Sequence, residues 1–235
     1  MPGNVALDAR LADVRERVAR AAARAGRNPS RIRIVAVSKT FDASRVRSAA
    51  QAGQFDFGEN KVQEAQQKRA ETADLRITWH FIGHLQSNKA RKAAALFDVI
   101  HSIDDPFLIP KIDDAAGEAG RTLELLVQVD LAGEPTKHGA REEELPAIFD
   151  AAGPCRAVRL SGLMMIPPTS ADPEGARHWF RKLNGVRDRL LARGVDGAML
   201  AELSMGMSHD YEIAIEEGAT LVRIGTAIFG SRPAA

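Results

Sequence analysis

Short apolar segments rich in β-branched residues alternate along the chain with longer segments in which apolar residues recur at helical spacing. The short segments predict strands that are buried on both faces, as in a parallel sheet, and the longer ones predict amphipathic helices. The predicted strands lie at Ile32–Ser38, Gln54–Phe57, Ile77–Ile82, Asp98–Ser102, Leu123–Leu131, Ala157–Leu163, Met199–Leu203 and Thr220–Ile224. The predicted helices lie at Val5–Ala25, Ala43–Ala52, Lys61–Ala73, Asn88–Leu96, Pro106–Ala119, Glu142–Ala152, Glu174–Arg193 and His209–Glu217.

This alternation predicts an α/β protein built as a single (β/α)8 TIM barrel, with an extra N-terminal helix before the first strand. The length of 235 residues suits a barrel with few insertions. A doubly wound open sheet is the alternative, but such sheets typically use fewer strands. Their Gly-x-Gly-x-x-Gly fingerprint is also missing after the first strand, where Ser38-Lys39-Thr40 stands. We therefore expect residues 1–235 to form one barrel domain.

Lys39 directly follows the first predicted strand, and barrels of this kind gather their chemistry at the C-terminal ends of the strands. A partly desolvated lysine can lose its proton near neutral pH and attack a carbonyl to form a Schiff base. The alternative is a lysine whose stem packs while its ammonium reaches solvent or a carboxylate. A Schiff-base aldolase that acts on a phosphorylated sugar without a cofactor also fits Lys39.

The segments after the last two predicted strands are candidates for a phosphate site. Barrels often bind phosphate there, with backbone N–H groups at the start of a short helix. Ser204 offers a hydroxyl, and Gly225 and Thr226 offer N–H groups and a second hydroxyl. Ser208 or His209 can instead cap the helix that follows. The pattern alone leaves phosphate binding and simple helix capping open.

Other residues near strand ends are candidates for lining the same site. Arg223 lies in an otherwise apolar strand, so it needs either a carboxylate or a ligand as its acceptor. Asn60 suits a ligand contact or a helix N-cap. His84 suits hydrogen bonding at the site, because its spacing from His80 does not converge on a metal in a strand-then-turn context. Met164 fits either a cofactor wall or ordinary packing.

Composition narrows the function further. The net charge of +1 does not indicate a nucleic-acid or membrane partner. Cys155 is the single cysteine, so neither an internal disulfide nor a cysteine metal cluster is expected, which suits a reducing, cytoplasmic setting. The N-terminus lacks an apolar signal core, and we expect no membrane-spanning segment.

The strand-end motifs resemble, in order and over nearly the whole chain, those of the YggS/PROSC pyridoxal phosphate homeostasis proteins. The motifs are Ala36-Val37-Ser38-Lys39-Thr40, Phe57-Gly58-Glu59-Asn60-Lys61-Val62-Gln63-Glu64, Trp79-His80-Phe81-Ile82-Gly83-His84-Leu85-Gln86-Ser87-Asn88-Lys89, His101-Ser102-Ile103-Asp104, Gly162-Leu163-Met164, Leu203-Ser204-Met205-Gly206-Met207-Ser208 and Val222-Arg223-Ile224-Gly225-Thr226-Ala227-Ile228-Phe229-Gly230. The resemblance implies a barrel like the N-terminal domain of alanine racemase. It also implies pyridoxal 5′-phosphate (PLP) as the cofactor.

The resemblance also implies residue roles. PLP would form a Schiff base with Lys39, and Arg223 would face its pyridine nitrogen. The phosphate would be held by Ser204, Gly225 and Thr226. The ring pocket would be lined by Asn60, His84 and Met164.

The same resemblance implies a non-catalytic carrier in vitamin B6 homeostasis and amino-acid balance. Racemases of this barrel type take their second acid–base group, a tyrosine, from an extra β domain, and we expect none here. The single tyrosine, Tyr211, lies in a predicted helix. A weak PLP-dependent racemase remains the alternative. As partners we expect PLP and apo PLP-enzymes as acceptors, and we expect a monomer.

The chain departs from the family pattern at two positions. Phe41 stands where many members have a second lysine, which puts in doubt a transfer of the cofactor to that position. Asp130 stands where asparagine is commoner, whereas Lys137 in the same loop is kept and is a candidate for cofactor exchange.

Overall fold

The computed structural model describes residues 2–133 and 138–231. Eight parallel strands follow chain order around a closed barrel, in which β8 pairs with β1. The strands are β1 (Arg33–Val37), β2 (Asp56–Glu59), β3 (Thr78–Phe81), β4 (Val99–Ile103), β5 (Leu123–Gln128), β6 (Val158–Met164), β7 (Glu202–Met207) and β8 (Leu221–Ile224). The predicted (β/α)8 fold is confirmed.

The helices form the outer layer of the barrel. They are α1 (Pro2–Arg24), α2 (Ala43–Gln51), α3 (Val62–Glu71), α4 (Ala90–Leu96), α5 (Leu108–Glu118), α6 (Leu145–Ala152), α7 (Arg177–Ala192), α8 (Tyr211–Glu216) and α9 (Thr226–Phe229). The short helix α9 lies outside the predicted helices. Over the described ranges, no helix has the length and apolarity that a membrane crossing requires.

Strand β7 differs most from its prediction. We predicted it at Met199–Leu203, whereas it runs from Glu202 to Met207. A 3-10 turn at Gly197–Leu200, capped by the Asp196 side chain, occupies most of the segment where the strand was expected. The remaining strand and helix ends differ by three residues or fewer. The shift matters for function because it places Ser204 inside the strand.

The N-terminal helix α1 is an integral part of the outer layer. Leu7, Leu11 and Val14 recur at helical spacing and are fully buried against the barrel helices. Burying each such side chain contributes about 1.5–3 kcal/mol. On its polar face, Arg17 forms a 2.6 Å ion pair with Glu212 of α8. Hydrophobic packing and ion pairing therefore hold α1 in place.

The barrel interior has an apolar part and a polar part. The apolar part is a small cluster, separate from the core beneath the helices, formed by Val35, Val99, Leu126, Met164 and Leu221. The polar part contains the buried side chains His80, His101, Ser204 and Arg223. A buried polar group needs hydrogen-bond partners, so these side chains are expected to bond to one another.

Candidate functional site

A cavity of about 540 Å³ opens at the C-terminal ends of the barrel strands. This volume suits a small-molecule ligand. Most of the residues predicted from sequence line it, and they are Lys39, Asn60, His84, Arg223, Gly225 and Thr226. Parallel strands bring these residues together because all their C-terminal ends meet at one face of the barrel.

Ser204 and Met164 do not lie where we expected them. Both are fully buried in the barrel interior and are not part of the cavity lining. Met164 packs in the apolar interior cluster with Val35 and Leu126. Ser204 lies within β7 because that strand continues to Met207, so its hydroxyl points to interior partners. The position of Ser204 therefore does not support the phosphate contact that we expect from the sequence, because its hydroxyl does not line the cavity.

Ser208 occupies the rim position that we had expected for Ser204. Its Oγ accepts hydrogen bonds from the N–H groups of Gly225 and Ala227, at 3.1 and 3.4 Å. Ser208 does not cap the following helix, since the N-cap residue of α8 is Asp210. Convergent backbone N–H groups beside a hydroxyl form a suitable anion site. The sequence motif that ends at Ser208 contains both serines. They are distinguished by the end of β7 at Met207, which leaves Ser204 inside the strand and Ser208 just after it.

Helix α3 holds the backbone on both sides of Lys39. Lys68 Nζ donates to the Ser38 carbonyl at 2.7 Å, and the Thr40 N–H donates to Glu64 Oε2 at 3.2 Å. Thr40 has a φ of 71°, a left-handed conformation that is unusual for a β-branched residue. Such strain is typical of functional sites, where the surrounding structure maintains it. The Lys39 side chain thus extends from a restrained backbone into the cavity.

Arg223 provides a buried positive charge at the base of the cavity. Its guanidinium donates to the Ser204 carbonyl and to the Met165 carbonyl, at 2.7 and 2.8 Å. Burial lowers the pKa of Arg223 to about 10, and the nearby Asp210 carboxylate acts in the opposite direction. Arg223 therefore remains charged at neutral pH. A basic nitrogen of a ligand that faces it would stay unprotonated, because a second positive charge there is unfavourable.

His84 lies at the cavity with a partner that sequence reasoning missed. Its ring stacks on that of His138, with centroids 3.5 Å apart and planes 9° apart, and its Nδ1 lies 3.7 Å from Asp104 Oδ2. Burial raises the pKa of Asp104, and the two imidazoles oppose that effect. Ligand atoms of the three residues lie within 4.8 Å of one another. Metal binding would nevertheless require ring rotation, because parallel stacked rings do not aim their lone pairs at one point.

The two departures from the family pattern have clear structural settings. Phe41 packs against Phe229, with ring centroids 5.2 Å apart, so this position contributes to apolar packing. Asp130 lines the cavity and accepts hydrogen bonds from the N–H groups of Ala132 and Gly133. Lys137 lies outside the described residues.

The barrel and its cavity define a protein of the alanine racemase N-terminal-domain class, whose family profile, "Alanine racemase, N-terminal domain", matches residues 9–233. Within that class, the chain belongs to the pyridoxal phosphate homeostasis proteins. A relative of that name from Pseudomonas aeruginosa is 44% identical over 222 residues, which cover 94% of each chain. The resemblance drawn from the strand-end motifs is confirmed.

Solved structures agree with this assignment. PipY of Synechococcus elongatus, whose structure contains bound PLP, superposes with a TM-score of 0.82 at 39% identity, covering 95% of this chain and 100% of PipY. The alanine racemase of Clostridium difficile superposes with a TM-score of 0.71 at 16% identity, covering 97% of this chain and 57% of the racemase. The second likeness demonstrates a shared barrel fold alone.

Proposed function

We propose that this protein binds PLP in the cavity as a Schiff base on Lys39 and acts in intracellular PLP homeostasis and amino-acid balance. The observation that carries the proposal is that Lys39, Ser208, Arg223, Gly225 and Thr226 all line one cavity. Bound PLP in the homologous PipY supports the choice of ligand.

The residues at the cavity fit the three functional parts of PLP. The amine of Lys39 would hold the aldehyde carbon, and Ser208, Gly225 and Thr226, which line the same cavity, would hold the phosphate. Arg223 would donate to the pyridine nitrogen. When bound, PLP supplies an aldehyde that reacts reversibly with amines and a ring that can delocalise electrons.

Two features favour carriage of PLP over catalysis. Arg223 stays charged, so a pyridine nitrogen facing it remains unprotonated and the ring is a weaker electron sink. Tyr211, the single tyrosine of the chain, is buried, and Arg17 of α1 lies over its ring. Its position argues against the role that a tyrosine plays as second base in racemases of this fold.

The carrier role requires partners. We propose that apo PLP-enzymes accept the cofactor, that the protein acts as a monomer, and that it works in the cytoplasm, consistent with its single cysteine. Light scattering measures the molar mass in solution and tests whether the protein is a monomer. Activation of an apo PLP-enzyme by the loaded protein, compared with an equal amount of free PLP, tests delivery.

An absorbance spectrum tests the binding proposal directly. The purified protein should show a visible band from its Schiff base, and Lys39→Ala should abolish it. The matched control Lys92→Ala removes an exposed lysine on α4 and should leave the band unchanged. Borohydride reduction followed by mass measurement should then locate a pyridoxyl-phosphate adduct on Lys39. A visible band that survives in Lys39→Ala would reject the assignment of this lysine.

A weak PLP-dependent racemase is the second candidate, because the imidazoles of His84 and His138 line the same cavity as Lys39 and could move a proton. Single enantiomers of several amino acids, incubated with the loaded protein and separated by chiral chromatography, test it. Sustained interconversion that disappears in Lys39→Ala and His84→Asn would replace the carrier proposal.

A further inference from the structure

A continuous line of hydrogen-bonded side chains crosses the barrel interior below the cavity. It runs from Arg223 through Ser204, His101 and His80 to Asp56. The successive distances are 2.6 Å from Arg223 Nη1 to Ser204 Oγ, 2.8 Å on to His101 Nδ1, 2.9 Å from His101 Nε2 to His80 Nδ1, and 3.0 Å from His80 Nε2 to Asp56 Oδ1. The four interior residues are almost completely buried.

The line joins opposite ends of the barrel. Arg223 lines the cavity at the C-terminal ends of the strands. Asp56 is the first residue of β2, at the N-terminal end, and 26% of its side chain is exposed. His80 of β3 and His101 of β4 bridge the interior between them. The line is therefore a continuous hydrogen-bonded connection between the two ends of the barrel.

The chemistry of Arg223 sets the direction of the first hydrogen bond. A guanidinium has only donors, so Ser204 Oγ accepts from it. The serine hydroxyl proton then needs its own acceptor. Within residues 2–133 and 138–231, His101 Nδ1 is the other hydrogen-bond partner of that oxygen. Ser204 therefore donates to Nδ1 of His101.

The direction continues through both histidines. Burial, the neighbouring His80 and the charge of Arg223 hold the pKa of His101 well below its ordinary value, so this ring is neutral. A neutral ring that accepts at Nδ1 carries its proton on Nε2, and His101 thus donates to His80 Nδ1. Because His80 accepts this hydrogen bond at Nδ1, its proton lies on Nε2, which donates to the Asp56 carboxylate.

We propose that His101 and His80 are positioning residues that, with Asp56 as terminal acceptor, orient the Ser204 hydroxyl and hold Arg223 in place as a donor to the ligand in the cavity. All hydrogen bonds in this relay, defined as Arg223, Ser204, His101, His80 and Asp56, point towards Asp56. The direction of these hydrogen bonds depends only on residues of the protein and needs no bound ligand. Its effect on the ligand rests on the proposed binding of PLP.

The directionality is tested on the PLP-free protein by ¹⁵N NMR of its histidine rings. We expect His101 and His80 to be neutral and protonated on Nε2. Protonation of His101 on Nδ1, or double protonation of either ring, would overturn the proposal. Ser204→Ala should move the His101 Nδ1 signal towards that of a nitrogen with no donor. Ser161→Ala is the matched control, because Ser161 is buried on neighbouring β6 and its hydroxyl has no hydrogen-bond partner among the described residues.

The positioning role is tested with PLP. Ser204→Ala keeps the carbonyl contacts of Arg223 but removes its oriented hydroxyl acceptor. It should weaken PLP binding about tenfold, or about 1.4 kcal/mol, and shift the absorbance maximum of the bound cofactor. Ser161→Ala should change neither. Wild-type affinity and absorbance in Ser204→Ala would refute the positioning role, whereas a wild-type protein without a visible band would refute the proposed function and leave the NMR result intact.

Discussion

Lys68 Nζ lies 2.6 Å from Glu59 Oε1 in a salt bridge that is almost entirely shielded from water. The Ser38 hydroxyl donates to the same Glu59 oxygen, also at 2.6 Å, and Lys68 donates to the Ser38 carbonyl. Burial raises the pKa of Glu59, and Lys68 opposes this by stabilising the carboxylate. Because Ser38 precedes Lys39, the salt bridge restrains the backbone from which the proposed cofactor-binding lysine extends.

Replacing Lys68 by methionine should destabilise the protein strongly. The change leaves the Glu59 carboxylate buried without a cation, and breaking a buried pair in this way costs about 3–5 kcal/mol of unfolding free energy. The double variant Lys68→Met, Glu59→Gln should recover part of that loss because no charge remains buried. Urea denaturation measures both. Lys92→Met, on an exposed helix face, should change stability by less than about 0.5 kcal/mol; a similarly small effect at Lys68 would contradict the argument.

Thr40→Gly should stabilise the fold even though it removes a side chain next to Lys39. Thr40 has a φ of 71°, where a Cβ is unfavourable and glycine is not. Relief of about 1–3 kcal/mol of strain should outweigh the entropy that glycine loses on folding, for a net gain of about 1 kcal/mol. Thr40→Ala, which keeps a Cβ, should gain less. Urea denaturation decides, and a Thr40→Gly variant less stable than the wild type would show that the conformation is not strained.

Sequence periodicity was sufficient to predict the barrel because each buried strand and amphipathic helix has a local signature. It also indicated Lys39 as a site residue, since the apolar run of β1 ends there and the C-terminal ends of parallel strands share one face; Lys39 lines the cavity at that face. Ser204 and Ser208 could not be distinguished in the same way. Their separation depends on where β7 ends, and the 3-10 turn before that strand moves its end towards the C-terminus.

The relay had no local signature at all. His101 and Ser204 are 103 residues apart in the chain, and their contact exists only because barrel closure brings β4 and β7 to a common interior. The stacking of His84 on His138 likewise joins loops that follow different strands. Pairings of this kind depend on tertiary geometry, so residue type and spacing could nominate His84 but not its partner.

Gly83→Ala should disturb the cavity wall. A Cβ at this position would overlap the Asn60 carbonyl oxygen and lie 2.9 Å from its carbonyl carbon, and both residues line the cavity. Because the backbone at either residue can shift only at an energetic cost, we expect a loss of about 1–3 kcal/mol in stability together with weaker PLP binding.

Gly117→Ala is the control for Gly83→Ala, because the nearest atom to its new Cβ, from Ala157, is 3.9 Å away. That helical position should gain up to about 1 kcal/mol. Thermal unfolding and PLP titration of both variants provide the comparison, and wild-type behaviour of Gly83→Ala would show that the wall can move.

Acid should weaken the attachment of α1 to the barrel. Burial alone would raise the pKa values of Glu212 and Glu216 on α8, but hydrogen bonds from Arg17, Arg24 and Arg177 lower them below the ordinary value of 4.5. A carboxylate whose pKa is lower in the folded than in the unfolded state contributes stability that is fully present above the unfolded pKa. That stability is lost as the pH falls through the folded pKa.

We therefore expect the melting temperature to be steady between neutral pH and about pH 5 and to fall below about pH 4.5, where the unfolded chain takes up protons first. The double variant Glu212→Gln, Glu216→Gln should be less stable at neutral pH, by about 0.5–1 kcal/mol for each partly exposed pair. Its melting temperature should also fall less steeply in acid than that of the wild type. Glu118→Gln, which removes an exposed ion pair with Arg91 on α4, is the control. Its melting temperature should fall in acid as steeply as that of the wild type. If the double variant lost stability in acid as steeply as Glu118→Gln, the acid sensitivity would originate elsewhere in the molecule.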